Sequence, residues 1–200
     1  MPDPRLPRHG AIILAAGRSQ RLGQSKQLLR IDGESLVHRA TRFSLASKPL
    51  ECLVVSRADD SEIALALGDL PCRIVPCADA ADGLSASLRC GLLALDPRCD
   101  GALIVLTDQP AISAAHLAAL CVRWRGDPGC ATASAYSETI GVPAILPRAW
   151  FASLIANTHD HGARDLLRSR REQVHSIAAE HLALDVDTPD DLARINIGPT

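Results

Sequence analysis

AIILAAGRSQRLGQSKQLL, residues 11–29, decides how the rest of the chain is read. Ile12, Ile13 and Leu14 form a short apolar run rich in β-branching, the signature of a buried strand. Ala15, Ala16 and Gly17 then present almost no side chain, so a ligand can approach the backbone closely. Arg18, Arg21 and Lys26 follow within one loop that Gly23 allows to bend. A strand opening into a small-residue, cationic loop suits a polyphosphate, because amide N–H groups cradle the oxygens and the cations neutralise them. The same residues also fit an ordinary strand-to-loop turn with solvated arginines.

Two familiar phosphate loops fail on this stretch. The P-loop needs Lys directly after its second Gly, whereas Gly23 is followed by Gln24, Ser25 and Lys26. The dinucleotide fingerprint needs three glycines at fixed spacing, which Gly17 and Gly23 do not supply. The pattern L-A-A-G-x-S-x-R-[LM]-G-x-x-K-Q-L-L does match, and it resembles the NTP-transferase (molybdopterin nucleotidyltransferase) family, in particular the molybdenum-cofactor cytidylyltransferases. The resemblance implies that Leu14, Ala15, Ala16 and Gly17 bind nucleotide and that Arg21 and Lys26 are catalytic cations.

The chain has 200 residues, enough for one domain with a sizeable core. Apolar residues make up 47%, but only two Phe, two Trp and one Tyr are aromatic, so Leu, Ala, Ile and Val must build the core. That composition suits a parallel α/β protein. A formal charge of −2 argues against a general nucleic-acid surface, so any cationic site is local. Seven cysteines without a C-x-x-C pair indicate neither a disulfide framework nor a zinc ribbon. Cys52, Cys72 and Cys130 open apolar runs as small hydrophobes. No stretch approaches the ~20 apolar residues of a membrane span. The start MPDPRLPRHG lacks a signal peptide's apolar region. With reduced thiols, this predicts a cytoplasmic protein without a membrane partner.

Residues 1–9 read as a loose lead-in and residues 10–197 as one domain. Leu28 to Ile31 is a short extended segment before the Asp32-Gly33 turn, and Ser35 caps a helix. Strands are expected at 52–55, 72–75, 102–106, 130–135, 143–146 and 174–177. Helices are expected at 61–67, 85–95, 113–124 and 162–170, with further starts at Pro147 and Thr188. This alternation implies right-handed crossovers and a single three-layer, Rossmann-like α/β domain with a mainly parallel sheet; the resemblance implies the nucleotidyltransferase fold. Such sheets bind ligands beyond their strands' C-terminal ends. Residues 15–26, the segment after Val75, and Asp108 should therefore share one crevice.

Asp108 follows the apolar run ALIVL in T-D-Q-P, where a carboxylate is placed to hold Mg²⁺ or simply to start a turn. Asp185 and Asp187 point the same way if their segment is extended, while Asp190 and Asp191 suit a helix N-terminus. The resemblance implies that Asp108 and Asp187, with Asp185 second to it, hold the metal. Capping alone also explains the later cluster. ADGLSASLRCGL (81–92) resembles the family's base- and ribose-contacting segment, carried by Gly83, Ser85 and Ser87, although Ser85 also fits a helix cap. Relatives that use guanine tend to have Gly where Ala16 stands, which favours CTP. Asp160 to Arg164 resembles G-D-x-G-A-R and implies acceptor binding by Asp160 and Arg164, with His159 departing from the usual Gly. His159 and His161 have a metal-ligand spacing but no third partner nearby. Gly141-Val142-Pro143 echoes a G-x-P segment beside the acceptor, and Glu138 reads as a solvated turn residue.

The resemblance implies a Mg²⁺-dependent nucleotidyltransferase moving CMP from CTP to the phosphate of molybdopterin, with pyrophosphate released. A molybdenum hydroxylase is the implied recipient of the product. The alternatives are a GMP-transferring relative, an enzyme acting on another phosphorylated metabolite, or a non-catalytic nucleotide-binding sensor.

Overall fold

All six residues of the first strand, β1 (His9–Leu14), are buried. Ile12 and Leu14 enter one hydrophobic cluster and Ala11 and Ile13 another. Alternate side chains of a strand point to opposite faces, so a strand buried throughout must be covered on both. The computed structural model describes residues 5–17, 25–58, 60–156, 162–183 and Asp191.

After β1 comes a small hairpin of β2 (Arg30–Ile31) and β3 (Glu34–Ser35), then α1 (Leu36–Ala46), β4 (Cys52–Arg57) and α2 (Ser61–Leu67). β5 (Arg73–Cys77), α3 (Leu84–Ala94), β6 (Gly101–Leu106) and α4 (Ala114–Arg125) follow. The chain continues through β7 (Ala131–Tyr136), β8 (Thr139–Pro147), α5 (Phe151–Ala156), α6 (Gly162–Ser169) and β9 (Val174–Ala178). Seven strands form one sheet in the order β5-β4-β1-β6-β8-β7-β9. Only β8 runs against the rest, as the return strand of a hairpin from β7. Val37, Ile63 and Leu117 place α1, α2 and α4 over one face; Leu88, Leu154 and Leu167 place α3, α5 and α6 over the other. The expected three-layer α/β domain is the one observed.

Local chemistry sets the element ends. The Ser35 and Ser113 hydroxyls accept from the amides of His38 and His116, capping α1 and α4. Asp32 and Gly33 both have positive φ, the geometry a two-residue hairpin turn demands. At the N-terminus, Arg5 and the Arg8 amide bond Asp100, so the end of the lead-in is anchored.

One expectation is corrected. Cys77 at the end of β5 is disulfide-bonded to Cys90 on α3. The pair lies 13 residues apart, and it is the packing of α3 back onto β5 that brings the Cα atoms to 6.0 Å. Cys52, Cys99 and Cys121 are free and buried, as small hydrophobes would be. Burial pushes the Cys52 thiol up to about 12 and those of Cys99 and Cys121 to about 11. Among the described residues no helix is long and apolar enough to cross a membrane.

His9 is fully buried, with Nε2 2.9 Å from the Ser47 hydroxyl. Burial, helped by the Arg125 charge, lowers its pKa from 6.5 to about 4. The unfolded chain therefore binds the extra proton first as pH falls, and stability drops between about pH 6.5 and 4. A denaturation series over that window should show a loss approaching ~3 kcal/mol, and His9→Gln should flatten it.

Candidate active site

β1 is flanked by β4 on one side and β6 on the other, so the chain winds one way from β1 and then crosses back. Leu14 pairs directly with Leu106 across that reversal. The segments leaving both strands thus diverge over a common crevice, where an open α/β sheet takes its ligand.

On the β1 side, Leu14, Ala16 and Gly17 line a cavity of about 410 Å³. Gly83, Leu84 and Ser87 from the start of α3 form its facing wall, and Lys26, Thr107 and Asp108 close it. Small residues let backbone, rather than side chains, form much of this surface. Gln27 holds the loop in place: its Nε2 donates to the Gly17 carbonyl at 2.8 Å, and its Oε1 accepts from Ser25 Oγ at 2.6 Å. A second cavity of about 210 Å³ adjoins the first, sharing Leu14, Leu84 and Leu106. Its further lining is apolar (Leu88, Ile104, Val142, Ala163) apart from Arg164, an exposed residue of α6.

The charges meet at the junction with the T-D-Q-P loop. Lys26 Nζ lies 2.8 Å from Asp108 Oδ2, with both side chains largely buried. Asp108 Oδ1 is buried without a hydrogen-bond partner among the described residues. An unsatisfied buried carboxylate oxygen is costly, and a hard divalent cation is the ligand that such an oxygen suits. The residues present therefore fit a bound Mg²⁺ or Mn²⁺.

Of the remaining sequence candidates, Ala15 faces the core on the α1 side and gives its amide to Val55. Ser85 is buried one residue into α3, whose N-cap is Gly83 (φ 101°), so it is not the helix cap. Ser87 does reach the cavity. Arg21, Asp160, Asp185 and Asp187 lie outside the described residues, as do Arg18, Gly23, His159 and His161. The sequence reading missed Gln27 and Gln109, each a buried amide beside a charged motif residue; a glutamine that the core must accommodate is the available signal.

A second group of metal-capable atoms, on Asp127, Cys130 and His175, lies within 4.8 Å at the opposite end of the sheet. There Arg123 Nη2 approaches His175 Nδ1 at 2.7 Å, so the imidazole proton sits on Nε2 and is given to Asp127 Oδ2 at 2.8 Å. This is a hydrogen-bond network with its donors and acceptors matched.

Residues 11–175 match the family model described as a MobA-like NTP transferase domain. The chain belongs to that family. It is a nucleotidyltransferase by fold and family. It is 31% identical to nicotine blue oxidoreductase of Paenarthrobacter nicotinovorans, over 98% of this chain and 100% of that one. It is 29% identical to purine catabolism protein PucB of Bacillus subtilis (strain 168), over 90% and 92%. Among solved structures, Rv0371c of Mycobacterium tuberculosis H37Rv superposes with a TM-score of 0.84 at 26% identity, covering 96% of this chain and all of that one. A complex of Rv0371c with manganese gives a TM-score of 0.79 at 25% identity, covering 94% and 97%.

Gln27→Met keeps the volume but leaves the Gly17 carbonyl without its donor. Nucleotide affinity, measured by calorimetry, should fall about fivefold, the ~1 kcal/mol typical of one lost hydrogen bond.

Proposed function

We propose that this nucleotidyltransferase transfers CMP from CTP to the phosphate of molybdopterin and releases pyrophosphate. The observation that carries this reading is the Lys26–Asp108 pair in the larger of two adjoining cavities, the larger suited to a nucleotide and the smaller to an acceptor. Ala16 on the nucleotide wall adds a methyl that favours the smaller base. The Mycobacterium tuberculosis relative has a structure in complex with manganese, which supports a divalent ion as the metal in this reading.

In the proposed reaction an acceptor phosphate oxygen attacks the α-phosphorus of CTP. The bond from that phosphorus to the α,β-bridging oxygen breaks, and the electron pair leaves with pyrophosphate. The acceptor phosphate is already ionised near neutral pH, so no residue has to remove a proton. The obstacle is repulsion between two anions. Lys26, with Arg21, offsets it by exchanging its carboxylate partner for phosphate oxygens, which form strong charge-assisted hydrogen bonds. Gly17 and Gly83 allow close approach of the triphosphate and nucleoside, and Arg164 receives the acceptor's phosphate, with Asp160 beside it in sequence. Asp108 and Asp187 would hold Mg²⁺, whose charge supplies further stabilisation at the α-phosphate when it is bound.

CTP, GTP, ATP and UTP should be compared in a pyrophosphate-release assay against molybdopterin and several sugar phosphates. Release with CTP and molybdopterin that depends on added Mg²⁺ is the expected result. Preference for GTP would make the chain a guanylyl-transferring relative; preference for a sugar phosphate would replace the acceptor. Tight nucleotide binding without release under every combination would make it a sensor. Lys26→Ala should still fold, with a lowered melting temperature because Asp108 loses its partner, and lose ~10²–10³ in rate. Undiminished turnover would remove Lys26 from the mechanism.

A further inference from the structure

We propose that Gln109 is the positioning residue of the metal-binding carboxylate, tying the loop that carries Asp108 to the acceptor wall and to the C-terminal segment. This inference rests on the reading above that Asp108 holds a divalent cation.

Gln109 follows Asp108 directly and is buried. Its Nε2 lies 3.1 Å from the Val142 carbonyl, 3.3 Å from the Tyr136 hydroxyl and 3.5 Å from the Leu182 carbonyl. The Tyr136 hydroxyl itself donates to the Val142 carbonyl at 2.8 Å. Three separate pieces of chain therefore converge on one amide group. Val142 lines the apolar cavity. Leu182 stands three residues before Asp185 and five before Asp187, the acids assigned to the same cation. Ile112 N also donates to the Gln109 carbonyl, closing the turn that presents Asp108.

Swinging this buried amide away from these acceptors would strand its own N–H donors in the interior. The backbone of Asp108 is one peptide from that anchor, so its carboxylate inherits the anchor's position. Gln109 itself lines neither cavity; it acts through Asp108. Groups that orient a metal ligand in this manner typically change metal affinity by ~10–100-fold when removed.

Gln109→Met fills the same space with no donor. Mn²⁺ would be titrated into wild type and variant in the presence of CTP and followed by electron paramagnetic resonance, with CTP binding in chelator measured alongside. The expected result is ~10–100-fold weaker Mn²⁺ binding with metal-free CTP affinity much less affected, because most of the nucleotide cavity's lining lies outside the loop that Gln109 anchors. Gln109→Asn, which keeps the amide one methylene short, should lie between the two, and it carries the same test if the Met variant does not fold. Equal Mn²⁺ affinity in wild type and variant, or parallel loss of Mn²⁺ and metal-free CTP binding, overturns the positioning role. Wild type that binds CTP but no Mn²⁺, with Asp108→Asn indistinguishable from it, refutes the metal reading itself and this inference with it.

Discussion

Parallel pairing of β1 with β6, Leu14 opposite Leu106, is the constraint from which the site follows. It fixes where two chain segments leave the sheet, and so brings Lys26 and Asp108, 82 residues apart, to 2.8 Å. The register is enforced by the layers above and below it. A Cβ on Gly91 of α3 would meet Ile12 Cγ2 at 2.6 Å, and one on Gly101 would meet the Trp124 ring at 2.5 Å. Helices on both faces are thus seated so closely that β1 and β6 have no room to shift. A slip of one residue would also exchange the two hydrophobic clusters.

The ion pair at that junction has a different character from those at the surface. Arg98–Asp96 and Arg73–Glu51 are well formed, but their arginines are more than half exposed, and such pairs contribute little to stability. Lys26 and Asp108 are 15% and 20% exposed, so both have been largely withdrawn from water. Desolvating two charges offsets much of their mutual attraction, and an apolar pair of like volume would serve folding as well. The unpartnered Asp108 Oδ1 adds to that cost. Charge held at such expense belongs to the site's chemistry rather than to the stability of the fold.

Much of the architecture was legible because it rests on periodicity and on end signals. Ser35, Ser113 and Gly68 mark their helix ends as expected, and each long sheet strand appears as an apolar run. The convergence of Lys26, Asp108 and Gly83 on one cavity was legible from residue type and from their positions after strands. The site was not legible where contacts join distant segments. Nothing local pairs Cys77 with Cys90, joins Gln109 to Val142 and Leu182, or turns Ala15 from the ligand to the core. Ser85 shows the same limit, since a hydroxyl at a helix start fits a cap until the backbone shows that Gly83 holds that position.

The two halves of the crevice differ in a way that bears on how the proposed reaction is ordered. The nucleotide half already contains its cation, Lys26, and that cation is held by a carboxylate from the same chain. An incoming triphosphate can take over this bond without opening a buried charge to nothing, provided that Asp108 gains a cation as Lys26 leaves it. In the proposed reaction, nucleotide and divalent ion would therefore favour arriving together, each compensating the partner the other removes. The smaller cavity has an apolar lining with Arg164 exposed beside it, so in the proposed reaction it would draw in an acceptor's phosphate and desolvate its body against Leu88, Ile104 and Val142. Since Val142 is also held by Gln109, acceptor packing and the position of Asp108 share one structural element. The wall of the smaller cavity and the loop that carries Asp108 are then set as a unit.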